Sequence, residues 1–363
     1  MVRLRRADCA GPGFTRRGRG RGFEYFDADG RKLTDGDTLD RIVALAIPPA
    51  WKDVWICPHH NGHLQAVGTD AAGRRQYRYH DGWRERRDAE KFEHVLDFAA
   101  ALPRLRAACA ERLAELDGTI TRAVALAGAV RLLDHGFFRV GGEVTGEAES
   151  FGLTTIRRDH VRVEGDVVRF AFPAKGGIER LQAIVDPEVR ELVARLCRRR
   201  GGGDELLAYK QGGRWRDLTA GDVNEFIREH ACEGCTAKDF RTWHATVLAA
   251  VAVSVSGWAE SKRGRDRAVR RAVEEVAHYL GNTPTVARNS YVDPRVFDRY
   301  RSGWTIGGAL DELGEDAKAG RPALHGAVER GVLDLLADDR ASDAVVRGPL
   351  LTPTGDPQAG RAG

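Results

Sequence analysis

The pattern of apolar and polar residues divides the chain into a strand-rich beginning and a helical remainder. Up to about residue 80, short alternating runs are bounded by Gly, Pro, Asn or Asp, which is typical of strands joined by turns. From Gly82 onward, apolar residues recur three and four positions apart, which predicts helices. In the first part we predict a hairpin over 23–33 with Asp29-Gly30 at its turn, a helix over 40–47, and strands over 54–57, 64–68 and 73–80.

The remainder is predicted to be mainly helical with one β insertion. Runs at 152–156, 160–163 and 167–172 are separated by polar turns, so they predict an antiparallel meander that ends at 174–177. Pro103 is expected to start a new helix, since proline is tolerated in a first turn but not in a helix interior. The predicted fold is α+β. Further helices are expected over 187–198, 219–230, 237–256, 265–280 and about 322–337.

Composition and charge narrow the class of protein. Apolar residues make up 42% of the 363 residues and charged residues 30%, which excludes an extensively disordered chain. No apolar run approaches the roughly 20 residues of a membrane helix, and the N-terminus lacks the apolar core of a signal peptide, so we expect a soluble, cytoplasmic protein. The net charge is only +4, but residues 3–21 hold seven arginines and one acid, Asp8. Such a basic arm is typical of contact with polyanions.

Cysteines and nucleotide motifs exclude several kinds of chemistry. The six cysteines are scattered, which argues against a disulfide framework in an intracellular chain. Cys232 and Cys235 follow His230 and resemble half a zinc site, but no second Cys-x-x-Cys accompanies them. We expect inert thiols, with redox or metal chemistry as the alternative. The chain has no Walker A loop, HExxH motif, EF-hand loop or nucleophile elbow, so we predict neither an ATP site nor a metal centre.

The strand predicted over 73–80 carries residue types that contact nucleic acid. Alternation places Arg75, Tyr77 and Tyr79 on one face and Gln76 on the other. Glutamine can bind adenine edges, arginine holds phosphate or guanine, and tyrosine stacks on bases. The alternative is an amphipathic strand whose tyrosines lie half in the core.

Four cationic residues lie where they could hold a phosphate. Arg139 lies between an apolar run and Gly141-Gly142, and its guanidinium matches two phosphate oxygens. Lys175 follows the meander on a flexible stem. Lys238 and Arg241, three residues apart at a predicted helix start, share one face as a phosphate site would require. The alternatives are a structural salt bridge, an ordinary surface lysine and a solvated basic face.

A fifth segment completes an ordered set of motifs. Residues 280–284 (Leu-Gly-Asn-Thr-Pro) end one helix and start another, and Tyr291 follows nine residues after Asn282. In this order the motifs resemble the poxvirus-type and bacterial DNA topoisomerase IB family, whose catalytic domain is shared with tyrosine recombinases. The family's landmarks are Phe-Arg-Ile/Val-Gly, a hairpin lysine, Lys-Asp-Leu/Phe-Arg-Thr and Leu-Gly-His/Asn-Thr-Pro. The similarity covers roughly 22–300. Some members have histidine in place of Asn282, whose amide can also donate a hydrogen bond.

The resemblance implies a type IB DNA topoisomerase that relaxes supercoils without ATP, metal or other cofactor. It implies that a monomer closes around duplex DNA as a clamp, associated with a bacterial nucleoid. Tyr291 would be the nucleophile that forms a 3′-phosphotyrosyl bond. Arg139, Arg241 and Asn282 would hold the non-bridging oxygens, and Lys175 would protonate the leaving 5′ oxygen.

The resemblance also implies how the chain is divided. A small mainly-β N-terminal domain would grip DNA, and a larger mainly helical catalytic domain would contain the three-stranded β insertion. The expected segments are a basic arm (1–21), a DNA-clamp domain (22–85), a catalytic domain (86–305) and a partly disordered extension (306–363). The residues expected to bind DNA are Arg75, Gln76, Tyr77, Tyr79 and Lys238.

Two alternative functions remain. The nearest is a tyrosine recombinase, but recombinases usually have a helical N-terminal domain. The other is a DNA-binding protein without catalytic activity.

Overall fold

The chain folds as two compact units, Met1–Glu93 and His94–Gly363, and the division falls within one long helix. Among the described residues, no helix is long and apolar enough to span a bilayer. The computed structural model describes residues 3–20, 22–141, 143–145, 148–312 and 324–348.

A five-stranded antiparallel sheet forms the first unit. Its elements are β1 (Phe14–Arg19), β2 (Gly22–Phe26), α1 (Gly36–Ala44), β3 (Lys52–Ile56), β4 (Leu64–Thr69) and β5 (Arg75–Tyr79), and the strand order is β2-β1-β3-β4-β5. Ile42 of α1 packs with Val54, Ile56 and Ala66 of the sheet to form a small core. β5 is at one edge of the sheet, so one side of its backbone has no neighbouring strand among the described residues.

Part of the segment expected to be a basic arm is a strand. Phe14–Arg19 pairs with both β2 and β3, so its backbone hydrogen bonds are made inside the sheet. Arg16 donates to the carbonyls of Pro48 (2.6 Å) and Trp51 (2.9 Å), and these bonds hold β1 against the segment that precedes β3. The chain expected to form a hairpin over 23–33 turns at the predicted place. Beyond the turn, its pairing with β2 consists of a single described β-bridge.

The second unit is mainly helical and carries most of the core. Its central helix is buried on nearly every side, and its buried residues include the polar side chains Asp239, Arg241 and His244. Its elements are α2 (Asp81–Ala114), α3 (Arg122–Gly136), β6 (Glu143–Thr145), β7 (Ala148–Ser150), β8 (Val161–Glu164), β9 (Val167–Pro173), β10 (Glu179–Val185), α4 (Pro187–Arg198), β11 (Ala208–Gln211), β12 (Arg214–Asp217), α5 (Ala220–His230), the central α6 (Ala237–Val255), α7 (Lys262–Leu280), α8 (Pro284–Ser290), α9 (Pro294–Arg301), β13 (Trp304–Thr305), α10 (Ala327–Leu336) and β14 (Val346–Arg347).

The three-stranded insertion is present, but one of its predicted strands was wrong. Its strands are β8, β9 and β10, whereas residues 152–156 form a turn in which the Ile156 N–H donates to the Gly152 carbonyl (2.9 Å). The segment 174–177 therefore joins β9 to β10 instead of ending the meander. Gly176 and Gly177 have φ values of +85° and +73°, which favour glycine and permit this tight turn. Lys175 consequently lies at the tip of a hairpin.

Pro103 does not start a helix as predicted, because α2 runs through it without interruption. Proline in a helix interior removes a backbone hydrogen bond and costs about 3 kcal/mol. Phe98, Leu102 and Leu105 are almost completely buried on either side of it. Burial of large apolar side chains stabilises by roughly 1.5–3 kcal/mol each, which is enough to outweigh the loss.

The described part of the expected C-terminal extension belongs to the core of the second unit. Val328, Val332 and Leu335 of α10 pack into the main cluster, and β14 pairs with β13. The disorder expected for the last fifteen or so residues falls outside the described ranges.

A buried ionic network joins α2, α3 and α10. Arg106 donates to both carboxylate oxygens of Asp134 (2.8 and 3.0 Å) and to both of Glu329 (2.6 and 2.9 Å). Trp243 of α6 donates its indole N–H to Glu329 (2.8 Å). Removing one partner of such a network leaves a buried charge uncompensated.

His325 lies against this network and should make stability depend on pH. Burial is the main reason that the pKa of His325 is lowered to about 4, although the negative charge of Asp134 acts to raise it. The unfolded chain protonates this histidine near pH 6.5, so below that pH the unfolded state binds more protons. We expect stability to be full above about pH 6.5 and to fall by up to about 3 kcal/mol as the pH approaches 4.

Denaturant unfolding between pH 8 and 4.5 measures this effect. His325→Gln should flatten the slope in that window, whereas His59→Gln, at an exposed position, should leave it unchanged. An identical slope in the parent and His325→Gln would contradict the assignment.

Candidate active site

Three arginines meet at the C-terminal end of α7. The last carbonyls of a helix lack intrahelical partners and carry the negative end of its dipole, so they attract cations. Here four successive carbonyls accept hydrogen bonds from the guanidinium groups of three arginines that lie far apart in the sequence. The pairs are Arg180 with His278 (3.2 Å) and Tyr279, Arg241 with Leu280 (2.9 Å), and Arg139 with Gly281 (3.4 Å).

Gly281 ends α7 in a conformation that favours glycine. Its φ is +60°, and the Asn282 N–H returns to the Ala277 carbonyl (3.0 Å), which closes the helix end. A Cβ atom at Gly281 would also lie 3.2 Å from Nη1 of Arg180. The turn carries the next residue, Asn282, towards Arg139.

Asn282 presents a buried donor. Its Oδ1 accepts from Nη2 of Arg139 at 2.6 Å, and this fixes the amide orientation because a guanidinium has only donors. Its Nδ2 is buried and has no hydrogen-bond partner among the described residues. An anion entering the site could satisfy that N–H group.

Arg241 is held rigidly beneath the site. Its side chain is buried, its Nη1 donates to the Phe137 carbonyl, and Nη2 donates to that of Leu280. Its Nε, also buried, has no hydrogen-bond partner within the described part of the chain. Burial lowers the pKa of Arg241 to about 10, so it stays positively charged at neutral pH.

Tyr291 lies beside Arg241. Thr283 is the N-cap of α8 and Tyr291 is its C-cap, and the ring centroid of Tyr291 is 5.2 Å from Cζ of Arg241. Burial alone would raise the pKa of Tyr291, but the charge and hydrogen bonding of Arg241, with Arg139 and Lys238, lower it below its ordinary value. Lys238 is exposed in the first turn of α6. The site thus stabilises the phenolate form, which is the nucleophilic form of tyrosine.

The structure therefore brings together four of the five residues expected to be catalytic, namely Arg139, Arg241, Asn282 and Tyr291. The fifth, Lys175, is exposed at the tip of the β9–β10 hairpin. That hairpin is connected to the site by Arg180 of β10, which donates to the α7 carbonyls.

Sequence reasoning missed Phe137 and Arg180. Phe137 ends α3 with a φ of +50°, rare for a bulky residue, and this aims its carbonyl at Arg241. Its ring packs against His244, with centroids 5.5 Å apart. Neither residue carries a local sequence signal, because Phe137 acts through its own backbone carbonyl and Arg180 binds backbone carbonyls of a distant helix.

The residues expected to bind DNA in the first unit lie on β5. Arg75, Tyr77 and Tyr79 are exposed on one face, as the alternation predicted, and the two rings stack with centroids 6.1 Å apart. Gln76 lies on the other face, where its amide donates to Asp70 (2.9 Å). The exposed face therefore offers one guanidinium and two aromatic rings.

The Cys-x-x-Cys pair does not consist of free thiols as expected. Cys232 and Cys235 are joined in a disulfide between α5 and α6, beside His94. With both thiols reduced, the two sulfurs and a ring nitrogen of His94 would form a group of three candidate metal ligands.

A second cluster of metal-ligating groups consists of Asp134, His244 and His325. Arg106 holds both carboxylate oxygens of Asp134 (2.8 and 3.0 Å). A cation bound there would face this fixed positive charge, so the cluster is better explained as part of the buried ionic network.

Comparisons with known proteins agree with this geometry. Residues 80–305 match the family of the eukaryotic DNA topoisomerase I catalytic core, and residues 22–70 match the bacterial DNA topoisomerase IB N-terminal domain. DNA topoisomerase 1B of Acanthamoeba polyphaga mimivirus is 27% identical over 289 residues, which cover 77% of this chain and 84% of the relative.

The match over 80–305 covers more than half of the chain, which therefore belongs to the type IB DNA topoisomerase family. Its enzyme class is that of a type I DNA topoisomerase, and its substrate is DNA. The resemblance drawn from the ordered motifs and the α+β fold are both confirmed.

Proposed function

We propose that the protein relaxes supercoiled duplex DNA as a monomer, through a transient single-strand break in which Tyr291 is bonded to the 3′ phosphate. The observation that carries this proposal is the grouping of Tyr291 with Arg241, Arg139 and Asn282. Two buried N–H donors in this group, Nε of Arg241 and Nδ2 of Asn282, have no partner among the described residues. Buried donors without partners are costly, and a phosphate would satisfy them.

The cations would stabilise the transition state. When the Tyr291 oxygen attacks phosphorus, negative charge builds on the two non-bridging oxygens. Arg139 and Arg241 stay charged and are already oriented by the carbonyls they bind, so little reorganisation accompanies the reaction. Asn282 would add a neutral donor to one of these oxygens.

Proton transfers would complete the step. The Tyr291 proton leaves to solvent, a phosphotyrosyl bond forms, and the bond from phosphorus to the 5′ oxygen breaks. Lys175 would give its proton to that departing oxygen as general acid. The phosphotyrosyl bond keeps the energy of the broken phosphodiester, so the 5′ hydroxyl can reseal the strand without ATP after the DNA has swivelled.

The first unit would contribute binding without chemistry. The exposed face of Arg75, Tyr77 and Tyr79 suits phosphate and base contacts. In the second unit, Lys238 would add a phosphate contact beside Tyr291. Gln76 would first have to release Asp70 before its amide could bind a base.

Plasmid relaxation in EDTA without nucleotide tests the proposal. We expect full relaxation of both positive and negative supercoils, and little change on adding magnesium or ATP beyond ionic effects. Binding should weaken steeply with salt, because each Arg or Lys contact with phosphate releases counterions. An absolute requirement for a metal ion or a nucleotide would contradict the proposed mechanism.

A further inference from the structure

We propose that Arg180 is a positioning residue that fixes the β9–β10 hairpin, and with it Lys175, against the C-terminal end of α7. The inference rests on the proposed function, because it assigns Arg180 to the proton-transfer step. It concerns a residue that lies outside the ordered motifs and five positions after the proposed general acid.

The contacts of Arg180 join two elements that carry different parts of the site. Arg180 lies in β10 opposite Phe172 of β9, close to the turn that bears Lys175. Its Nη1 and Nη2 donate to the carbonyls of His278 (3.2 Å) and Tyr279 in the last turn of α7. The chain then continues from α7 directly to Asn282.

Apolar packing holds the β9 side of this end of the hairpin, where Phe172 and Ala174 are buried in the main hydrophobic cluster. The β10 side is less well packed, because Ile178, just before the strand, is 59% exposed and Leu181, next to Arg180, is 72% exposed. On the β10 side, the two guanidinium–carbonyl hydrogen bonds tie the strand to the last turn of α7. Without them, β10 would lose this link to α7, and the turn that bears Lys175 would be positioned less precisely relative to the site.

Charge favours the same interpretation. Burial and the nearby charge of Arg139 lower the pKa of Arg180, and Arg180 in turn contributes to the lowered pKa of Arg241. Three guanidinium groups thus repel one another at this place, and the negative end of the α7 dipole offsets that repulsion. Both terminal nitrogens of Arg180 are directed at carbonyls, which suits a residue that holds elements together rather than one that binds phosphate.

Loss of Arg180 should therefore resemble loss of the general acid. Proton transfer requires the donor within hydrogen-bond reach of the departing oxygen, and a misplacement of about 1 Å can cost about 10²-fold in rate. The arginines and Asn282 that hold the non-bridging oxygens would stay in place.

Single-turnover cleavage of two substrates tests this. One duplex carries an ordinary phosphodiester at the cleaved position, and the other carries a 5′-bridging sulfur, whose thiolate leaves without a proton. On the ordinary substrate, we expect Arg180→Ala to be slower than the parent by about 10- to 100-fold. On the sulfur substrate it should recover to within about threefold, as Lys175→Ala should. Arg241→Ala should stay slow on both.

A double variant and a matched control sharpen the result. Arg180→Ala combined with Lys175→Ala should be no slower than Lys175→Ala alone, since both remove the same step. Arg169→Ala is the control, because Arg169 belongs to the same hairpin but is exposed and pairs with Glu164 at 2.7 Å. It should match the parent on both substrates. Arg180→Lys, which can still donate to a carbonyl, should lie between the parent and Arg180→Ala.

Several results would overturn the inference. Equal slowing of Arg180→Ala on both substrates would indicate a phosphate contact or a general loss of structure. A parent-like rate, or slowing that adds to that of Lys175→Ala, would show that Arg180 does not act through Lys175. Failure of the proposed function would be recognised in the parent protein, which would then form no covalent adduct with either substrate. The inference would fail with it.

Discussion

Tyr291→Phe is expected to bind supercoiled DNA nearly as the parent does and to lose relaxation completely. The substitution removes only the phenol oxygen, and the ring can keep its place beside Arg241, whose Cζ lies 5.2 Å from the ring centroid. Without that oxygen no phosphotyrosyl bond can form. Plasmid relaxation and a DNA-binding measurement on the same preparation separate the chemical step from binding.

Tyr279→Phe is the matched control for this variant. Tyr279 belongs to the last turn of α7 and is 46% exposed, and its backbone carbonyl, not its phenol, accepts from Arg180. Relaxation by Tyr279→Phe should stay close to that of the parent. If Tyr291→Phe still relaxes plasmid at a measurable fraction of the parent rate, Tyr291 is not the nucleophile.

Substitutions of Asn282 should have the next largest effects, with Asp far worse than Ala. Asn282→Ala removes one neutral donor and should slow cleavage by about 10²-fold, the lower range for loss of a single oxyanion donor. Asn282→Asp would place a carboxylate beside Arg139 and opposite the phosphate, where it neutralises one cation and repels the substrate. Asn282→His should keep much of the activity and introduce a dependence on protonation near about pH 6.5.

Single-turnover cleavage rates of the three variants decide this point. Asn289→Asp, on the exposed surface of α8, adds the same negative charge without replacing the Asn282 amide, so it controls for charge alone. If Asn282→Asp matches Asn282→Ala within about twofold, the amide does not contact phosphate, and this part of the proposed site is wrong.

Local patterns in the sequence were enough to predict most elements of the fold. Helix α4 has the bounds that were predicted, because Asp186 and Pro187 mark its start and the apolar spacing is regular. The patterns failed where tertiary packing decided the structure. Pro103 is tolerated inside α2 because its neighbours are buried, and residues 152–156 form a turn although their apolar content is typical of a strand.

The site was predicted from the order of its motifs, but its organisation was not. Arg139, Arg241, Asn282 and Tyr291 all belong to short segments with a recognisable pattern. Arg139, Arg241 and Asn282 are anchored by carbonyls at the end of α7, and backbone carbonyls leave no trace in a sequence. For that reason Arg180 appeared only as one of the chain's many arginines until the structure placed it at that helix end.

The most direct test of the proposed chemistry is to trap the covalent complex and map it. The reaction of the parent protein with a duplex is stopped with a denaturant while the strand is cut. The trapped protein–DNA complex is digested with protease, and the peptide that carries DNA is identified by mass spectrometry. We expect a single adduct on Tyr291, joined to a 3′ phosphate, so that a label at the 5′ end of the cut strand stays with the protein. An adduct on another residue, a label that stays only when placed at the 3′ end, or no adduct at all would contradict it.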